Sequence, residues 1–298
     1  MLLTTGRLHS ALLLSLLILV PAAILQAGET NGVSATLAAA LAAENDHAGA
    51  ALEYRRAALE ETANAARQAA WTWFAARESQ LAGQRAAAET LIDRFEELDP
   101  GRVTDAQLLR AENAMADRHW SEAAFFYRSL AEAPGSDPAL RRYAARRLAT
   151  AELRQGQTAA ARRALALSPA DEPAAAAALD RWQITSRKRP WLGGLLGLIP
   201  GAGYAYSGEY ANAARSAILN GLFLWGMVDT ADNDHWGLFA VVSFFEVTWY
   251  SGSIYGGVDA AQRYNREHLD EAVRGVQGQA AFQTSSAAFP LLSLQFTF

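Results

Sequence analysis

The chain contains no cysteine among its 298 residues. This absence excludes disulfide bonds, cysteine nucleophiles, and the zinc and iron–sulfur sites that depend on cysteine ligands. Histidine is also scarce, and no two histidines form the H-E-x-x-H spacing of a catalytic zinc helix. The five are His9, His47, His119, His235 and His268. We therefore expect no metal ion and no cofactor.

Sequence motifs of common enzymes are missing as well. The chain has no G-x-S-x-G nucleophile elbow and no phosphate-binding Walker loop. Gly201 and Gly203 form only G-x-G, which is more typical of a helix break than of a nucleotide site. The sequence therefore predicts a protein that is not an enzyme.

The chain lacks a basic block. Its 26 Lys and Arg residues are outnumbered by 31 Asp and Glu residues, which gives a net charge of −5. Nucleic-acid surfaces need clustered cations to neutralise phosphates, so nucleic acid is not an expected partner. The mean hydropathy of −0.02 is high for a soluble domain and low for a mostly membrane-spanning protein, which indicates two unlike parts.

The segment 1–27 has the pattern of a secretory signal peptide. Arg7 precedes an apolar run from Ala11 to Val20, and Pro21 and small residues follow the run. We expect cleavage after Ala27, with an uncleaved membrane anchor as the alternative. Either outcome exports the remaining chain, so we expect a periplasm-facing protein in the cell envelope of a Gram-negative bacterium.

Residues 34–185 are rich in strong helix formers and poor in β-branched residues, which predicts an all-α fold. An alanine, a second residue four positions later and a third residue three positions after that recur along this region, most often with an aromatic or apolar residue at the second position. The four sets are Ala50, Tyr54 and Ala57; Ala88, Ile92 and Phe95; Ala123, Tyr127 and Leu130; and Ala160, Ala164 and Leu167. The spacing of their first alanines is close to the ~34-residue period of one helical repeat family.

This region resembles tetratricopeptide repeats, most clearly over His119–Pro134 and Arg154–Pro169. The resemblance implies a helical solenoid whose groove binds peptides or partner proteins. A generic alanine-rich helical bundle is the alternative. Asp171 is the expected N-cap of a helix that closes the array.

Aromatic residues of the alanine-rich region are the candidate partner-binding residues, since aromatic side chains anchor many interfaces. They are Trp71, Trp73, Trp120 and Tyr127. A location of Trp71 and Trp73 in the core of a long helix is the favoured alternative.

Composition changes abruptly at the basic triplet before Pro190, and residues 190–268 are rich in Gly and aromatic residues. Apolar stretches from Ala213 to Val228 and from Trp236 to Tyr255 predict a transmembrane or membrane-embedded helical hairpin. The segment that begins at Trp191 is broken by Pro200 and several glycines, which is more typical of an interfacial or re-entrant segment.

Polar and small residues within these stretches predict how the hairpin packs. Gly252 and Gly256 form a small-xxx-small pair that allows close helix approach. Glu246 lies in the middle of the second stretch, where an unpaired carboxylate is costly, so we expect Arg215 and Asn220 to pair with it. A structural interhelical hydrogen bond is favoured over an ion or proton site.

Three segments here resemble a family of bacterial envelope proteins. They are LIPGAGYAYSGEY, NGLFLWG and FFEVTWYSGSIYGGVDAAQRYNRE, and the first also resembles a TM2-type hairpin. The resemblance extends from Leu198 to Glu267 and implies an architecture with two hydrophobic helices. It implies no biochemical activity.

The tail, residues 280–298, ends in alternating apolar residues that predict a short strand. Together, these features predict an exported scaffold at a membrane, with the inner membrane favoured over the outer, that binds other envelope proteins and membrane lipids. The sequence leaves a homo-oligomer open. The alternative function is a small oligomeric transport or channel component.

Overall fold

The computed structural model describes residues 32–168 and 173–278, together with the short segments 283–285 and 293–295. The predicted signal peptide, the Asp171 cap and most of the tail lie outside these residues. The described chain is helical throughout apart from one short strand pair, which confirms the all-α class.

The described residues form two compact units. The first contains the described residues up to Ala177 together with those from Gly275 onward, and the second is Ala178–Arg274. The helices of the array, defined as α1 to α8, are α1 Val33–Ala43, α2 His47–Glu60, α3 Ala65–Leu81, α4 Arg85–Leu98, α5 Val103–Ala116, α6 Trp120–Glu132, α7 Pro138–Arg154 and α8 Thr158–Leu165. The later helices are α9 Pro173–Ile184, α10 Pro190–Leu196, α11 Ala202–Tyr206, α12 Tyr210–Asp232 and α13 Trp236–Gln277.

The array consists of four helix pairs joined by the same kind of turn. In each pair a residue with positive φ follows the first helix, and these residues are Asn45, Gly83, Arg118 and Gly156. The next backbone N–H then donates back to a carbonyl five positions earlier, as from Gln84 to Ser79 at 2.8 Å. This pattern satisfies carbonyls that the helix end leaves without a partner, so each turn reverses the chain over a short segment.

Each pair buries one alanine on either side of its turn, twelve positions apart. The four couples are Ala38 and Ala50, Ala76 and Ala88, Ala111 and Ala123, and Ala149 and Ala161. All eight are at most 1% exposed. Because a methyl group is the smallest side chain that keeps good helix propensity, these positions allow the two helices of a pair to approach closely.

In the fourth helix pair, the buried positions of α8 lie one residue later than the sequence pattern predicts. Ala161 is fully buried, whereas Ala160 is only half-buried. The larger buried residue four positions later is therefore Leu165, which corresponds to Tyr54, Ile92 and Tyr127 in the other pairs. The predicted set that begins at Ala160 is wrong by one position, and the corrected set begins at Ala161.

In the second unit, the segment after Trp191 folds into two short helices, α10 and α11. Gly201 adopts a φ of 87° where α11 begins, a conformation that favours glycine. The 23-residue α12 and the 42-residue α13 follow, joined at residues 233–235. We call α12 and the part of α13 up to Tyr255 the C-terminal hairpin.

Within the described residues, no helix is at once long enough and apolar enough to cross a membrane. The transmembrane spans predicted over 213–228 and 236–255 are therefore not confirmed. Polar residues such as Asn220, Ser243 and Glu246 interrupt both stretches and lower the mean hydropathy of the whole helices.

At the C-terminal end, β1 Gln283–Ser285 pairs antiparallel with β2 Ser293–Gln295. Thr284 lies opposite Leu294 in this pair. The predicted alternation over the last residues includes β2, and its other residues lie outside the described chain.

The revised repeat position can be tested by replacing single alanines of α8. Leucine at Ala161 overfills a fully buried site, so Ala161→Leu should lower the free energy of unfolding by about 1–3 kcal/mol. Ala159→Leu, at an exposed position of the same helix, should change it by less than about 0.5 kcal/mol. Urea denaturation followed by circular dichroism measures both. A larger cost for Ala160→Leu than for Ala161→Leu would contradict the revision.

Candidate interaction surfaces

Trp71 and Trp73 belong mainly to the core of the first two helix pairs. Trp73 is 8% exposed and contacts Phe74 edge-on, with ring centroids 5.0 Å apart. Trp71 is half-buried and stacks on Tyr54 at 5.9 Å. The favoured alternative, that these rings form core, agrees with this geometry, and of the two only Trp71 retains an accessible edge.

Trp120 and Tyr127 differ in accessibility although both lie on α6. Tyr127 is fully buried, so its ring is not available to a partner. Trp120 is half-buried, and the guanidinium of Arg154 lies 6.0 Å from its ring centroid. A partner can therefore reach Trp120 but not Tyr127.

Tyr127 instead belongs to a polar network around Glu112. Its hydroxyl donates to Glu112 Oε1, and the hydroxyl of Tyr143 donates to the same oxygen at 2.5 Å. Arg147 Nη2 donates to Glu112 Oε2 at 2.5 Å, and its guanidinium also lies over both tyrosine rings. The network joins α5, α6 and α7 across two helix pairs.

The electrostatics of this network keep both tyrosines protonated. Burial raises the pKa of Tyr127 and of Tyr143 well above the ordinary value, and the positive charge of Arg147 and the negative charge of Glu112 act in opposite directions on both hydroxyls. The two hydroxyls therefore remain donors to Glu112 over the physiological pH range. Both phenolic hydroxyls act as donors to Glu112 and thereby join three helices. We therefore interpret the network as a structural crosslink.

The array also exposes a large aromatic side chain. Phe125 on α6 is 65% exposed and contacts Phe126 edge-on at 5.3 Å between ring centroids. Leu52 and Leu59 on α2 are exposed at 56% and 76%. Among these residues Phe125 is the strongest candidate for a partner contact, because exposed aromatic rings supply large contact areas at low entropic cost.

Inside the C-terminal hairpin, polar residues meet between the two helices. Ser216 on α12 donates to Ser253 on α13 at 3.0 Å, and Asn220 Nδ2 donates to the Ser216 carbonyl at 2.6 Å. Asn220 is fully buried and Glu246 is 5% exposed. One oxygen of each, Asn220 Oδ1 and Glu246 Oε2, has no hydrogen-bond partner in the described chain.

The predicted partners of Glu246 are wrong. Asn220 directs its amide to Ser216, and no hydrogen bond joins Asn220 to Glu246 among the described residues. Arg215 is exposed and bonds to Asn212 Oδ1 at 3.4 Å, because it lies on the outer side of α12, where it cannot reach a buried carboxylate.

Close helix approach in the second unit depends on a glycine seam, which we define as Gly193, Gly197, Gly203 and Gly257. A Cβ at Gly257 would lie 2.3 Å from the carbonyl oxygen of Gly193 and 3.0 Å from Gly203 Cα. These separations leave no room for a side chain. The contacts of the seam hold α10 and α11 close to α13.

The predicted glycine pair on α13 is only partly right. Gly256 faces the ring of Tyr204, but a Cβ at Gly252 would meet nothing within 4 Å. The surface of α13 that makes the close contacts instead contains Ser253 and Gly257, one position later. The glycines of α10 and α11 determine which face of α13 makes these contacts. The sequence of α13 alone does not show this.

Residues of the segment 198–267 contact one another and the basic triplet before Pro190. Arg263 donates to both carboxylate oxygens of Glu209 at 3.0 Å. The Asn265 side chain accepts from the backbone N–H of Lys188 at 2.9 Å and donates to its carbonyl at 2.8 Å. The Tyr206 hydroxyl accepts from the backbone N–H of Arg189 at 3.0 Å. These contacts give the motif residues structural roles.

The hairpin exposes a long series of large apolar residues, which we call the apolar face. They are Ile218, Leu222, Leu224, Trp225 and Val228 on α12, and Trp236, Leu238, Val241, Phe244, Phe245, Val247, Trp249 and Tyr255 on α13. Each is at least 49% exposed. An exposed apolar surface of this extent is typical of a site that contacts protein or lipid.

No group of three or more His, Asp or Glu side chains is placed to hold a metal ion in the described ranges. The most exposed apolar surfaces described above are those at Phe125 and along the apolar face.

The contribution of the Glu112 network can be measured with Glu112→Gln. This variant removes the negative charge that Arg147 faces at Glu112, so we expect a loss of about 2–3 kcal/mol in the free energy of unfolding. In the matched control Glu97→Gln, the exposed pair with Arg94 is lost at a cost below about 0.5 kcal/mol. Equal small effects of the two variants in urea denaturation would show that the network is not a crosslink.

Two glycines of α13 provide a test of the seam. Gly257→Ala should lower the melting temperature by about 3 °C or more, since its methyl group meets the Gly193 carbonyl. Gly252→Ala adds a methyl group in open space, and its higher helix propensity should leave the melting temperature unchanged or raise it. Thermal unfolding in detergent micelles measures both, and the reverse order would contradict the seam.

Comparison with known proteins finds no family model, no curated protein and no solved structure that matches the chain. The resemblances to tetratricopeptide repeats and to the envelope family therefore stay predictions.

Proposed function

We propose that the protein is an exported, membrane-associated scaffold that binds partner proteins of the cell envelope through a tetratricopeptide-like array. The observation that carries this proposal is the repeated geometry of the four helix pairs. Each pair has the same turn and the same couple of buried alanines, and the pairs recur at nearly constant spacing along the chain. Stacked helix pairs of this kind present extended surfaces that bind peptides and proteins.

The apolar face supports membrane association. Its side chains point outward, whereas Ser216, Asn220 and Glu246 are buried between the helices. The mean hydropathy of a helix averages over both sides, so it understates how apolar the outer side is. We propose that the C-terminal hairpin places this face against lipid acyl chains, so that its apolar side chains are removed from water.

The length of the face fits this environment. From Trp236 to Tyr255, α13 rises about 30 Å at roughly 1.5 Å per residue. This length is similar to the ~30 Å hydrocarbon core of a bilayer. Trp236 and Tyr255 lie near the two ends of the stretch, and Trp and Tyr side chains favour the membrane–water interface.

The alternative function, a channel component, has less support from this geometry. It needs Asn220 and Glu246 to line a pathway, but both are buried between α12 and α13. The exposed side of the hairpin is apolar, so a ring of such hairpins would bring apolar rather than polar surfaces together. The scaffold therefore accounts better for the distribution of polar groups.

Partner binding can be tested on the full-length protein in its native envelope, by membrane fractionation followed by chemical crosslinking and mass spectrometry. We expect the protein in the membrane fraction, with crosslinks from α5–α8 to a second protein. Phe125→Ser should reduce these crosslinks strongly, since loss of a hot-spot residue costs about 2 kcal/mol or more of binding energy.

Leu59→Ser is the matched control, because it also replaces an exposed apolar residue of the array but lies in the first helix pair. It should leave the crosslinks unchanged. Recovery of the protein in the soluble fraction, or crosslinks that Phe125→Ser does not alter, would refute the scaffold.

A further inference from the structure

We propose that the second unit carries a docking surface for anionic phospholipid headgroups, which we call the basic collar and define as Arg187, Lys188, Arg189 and Arg215. This inference rests on the proposed membrane association and adds the lipid class and the direction in which the hairpin is embedded. The ligand is a phosphate diester that is attached to acyl chains, so the cations bind the phosphate and the apolar face contacts the chains.

The cations of the collar have no carboxylate partner in the described part of the chain. Arg187 lies over the ring of Trp182 at 5.2 Å, and Arg215 bonds only to the neutral amide of Asn212. Lys188 Nζ lies 4.7 Å and 5.3 Å from the ring centroids of Tyr206 and Tyr264. These aromatic contacts leave the positive charges without compensation.

Other cations of the chain have carboxylate partners. Arg263 pairs with both oxygens of Glu209 and with Asp259. In the array, Arg110 pairs with Glu96 and Asp93 at 2.7 Å and 2.6 Å. The collar is therefore a local excess of positive charge in a chain whose net charge is negative.

The backbone of the collar is held in place. Asn265 makes two hydrogen bonds to the main chain of Lys188, and Tyr206 accepts from the N–H of Arg189. These three contacts fix the segment to α11 and α13. Because the charges are positioned before any ligand arrives, less conformational entropy is lost on binding.

The surroundings favour a lipid over a soluble anion. Trp191 lies just after Arg189 and Tyr210 lies at the start of α12 before Arg215, and they are 62% and 73% exposed. Exposed aromatic rings beside cations are typical of helix ends at the membrane–water interface. Arg215 is exposed one turn and a half into α12, where a long side chain can extend from the apolar face to a headgroup.

The other end of the hairpin has the opposite charge. Asp229, Asp232 and Asp234 lie where α12 meets α13, and no ion pair engages them among the described residues. The 23 residues of α12 separate the two ends by about 34 Å. An anionic surface attracts the collar and repels this acidic end, so the collar should face the leaflet richer in anionic lipid.

The test is flotation of the full-length protein with vesicles of phosphatidylcholine alone and of phosphatidylcholine mixed with phosphatidylglycerol. We expect the mixed vesicles to bind more strongly at low salt, with the difference shrinking as salt screens the charges. Arg189→Gln combined with Arg215→Gln should weaken binding to mixed vesicles by roughly 25-fold, about fivefold for each cation removed. Binding to the neutral vesicles should not change.

The matched control is Arg55→Gln combined with Arg163→Gln, which removes two exposed charges of the array. It should bind both vesicles as the wild type does, so an equal loss with this control would overturn the collar. Equal binding of the wild type to both vesicles would overturn the collar and keep the membrane proposal, whereas binding to neither would overturn both. If the collar variant floats normally but loses crosslinks to another protein, the collar binds an acidic protein and the lipid inference is wrong.

Discussion

Both units depend on the close approach of helix backbones at positions with almost no side chain. In the array, a buried alanine on each side of every turn sets the distance between the two helices of a pair. In the second unit the approach is closer, because Gly193 and Gly257 leave no room for even one methyl group. Larger buried residues such as Tyr127 can fill the remaining space only because these contacts fix where the helices lie.

The two units distribute polar groups in opposite ways. The array has the arrangement of a protein in water, with alanine and aromatic residues inside and most charges outside, and its half-buried carboxylate Glu112 is satisfied by Tyr127, Tyr143 and Arg147. The C-terminal hairpin buries Asn220 and directs its large apolar side chains outward. The two units also differ in how their buried polar groups are satisfied. Glu112 of the array accepts from three side chains, whereas Asn220 Oδ1 and Glu246 Oε2 of the hairpin have no hydrogen-bond partner among the described residues.

The all-α class and the recurring positions of Ala50, Ala88 and Ala123 can be predicted from the sequence, because their spacing follows from helix periodicity, and the structure buries all three alanines. The prediction failed at Ala161 because three consecutive alanines make neighbouring registers equivalent in composition. The Glu112 network was missed because Tyr143 and Arg147 lie 31 and 35 residues away, a separation that periodicity does not connect. The glycines of α10 and α11 decide the contact face of α13, so the sequence of α13 alone indicates the pair Gly252 and Gly256 and not Gly257. The sequence also does not show which side of α12 carries Arg215, so it does not show that Arg215 points away from Glu246.

The repeated turns have a consequence for how the chain acquires its structure. Each turn is closed by hydrogen bonds between residues five positions apart, and each helix of the array packs on its neighbours in sequence. Contacts of such short range cost little loop-closure entropy and favour rapid folding. A helix pair can therefore form as soon as its own two helices have emerged from a ribosome or a translocation channel, before the next pair arrives. Because the chain has no cysteine, this stepwise folding needs no oxidation step.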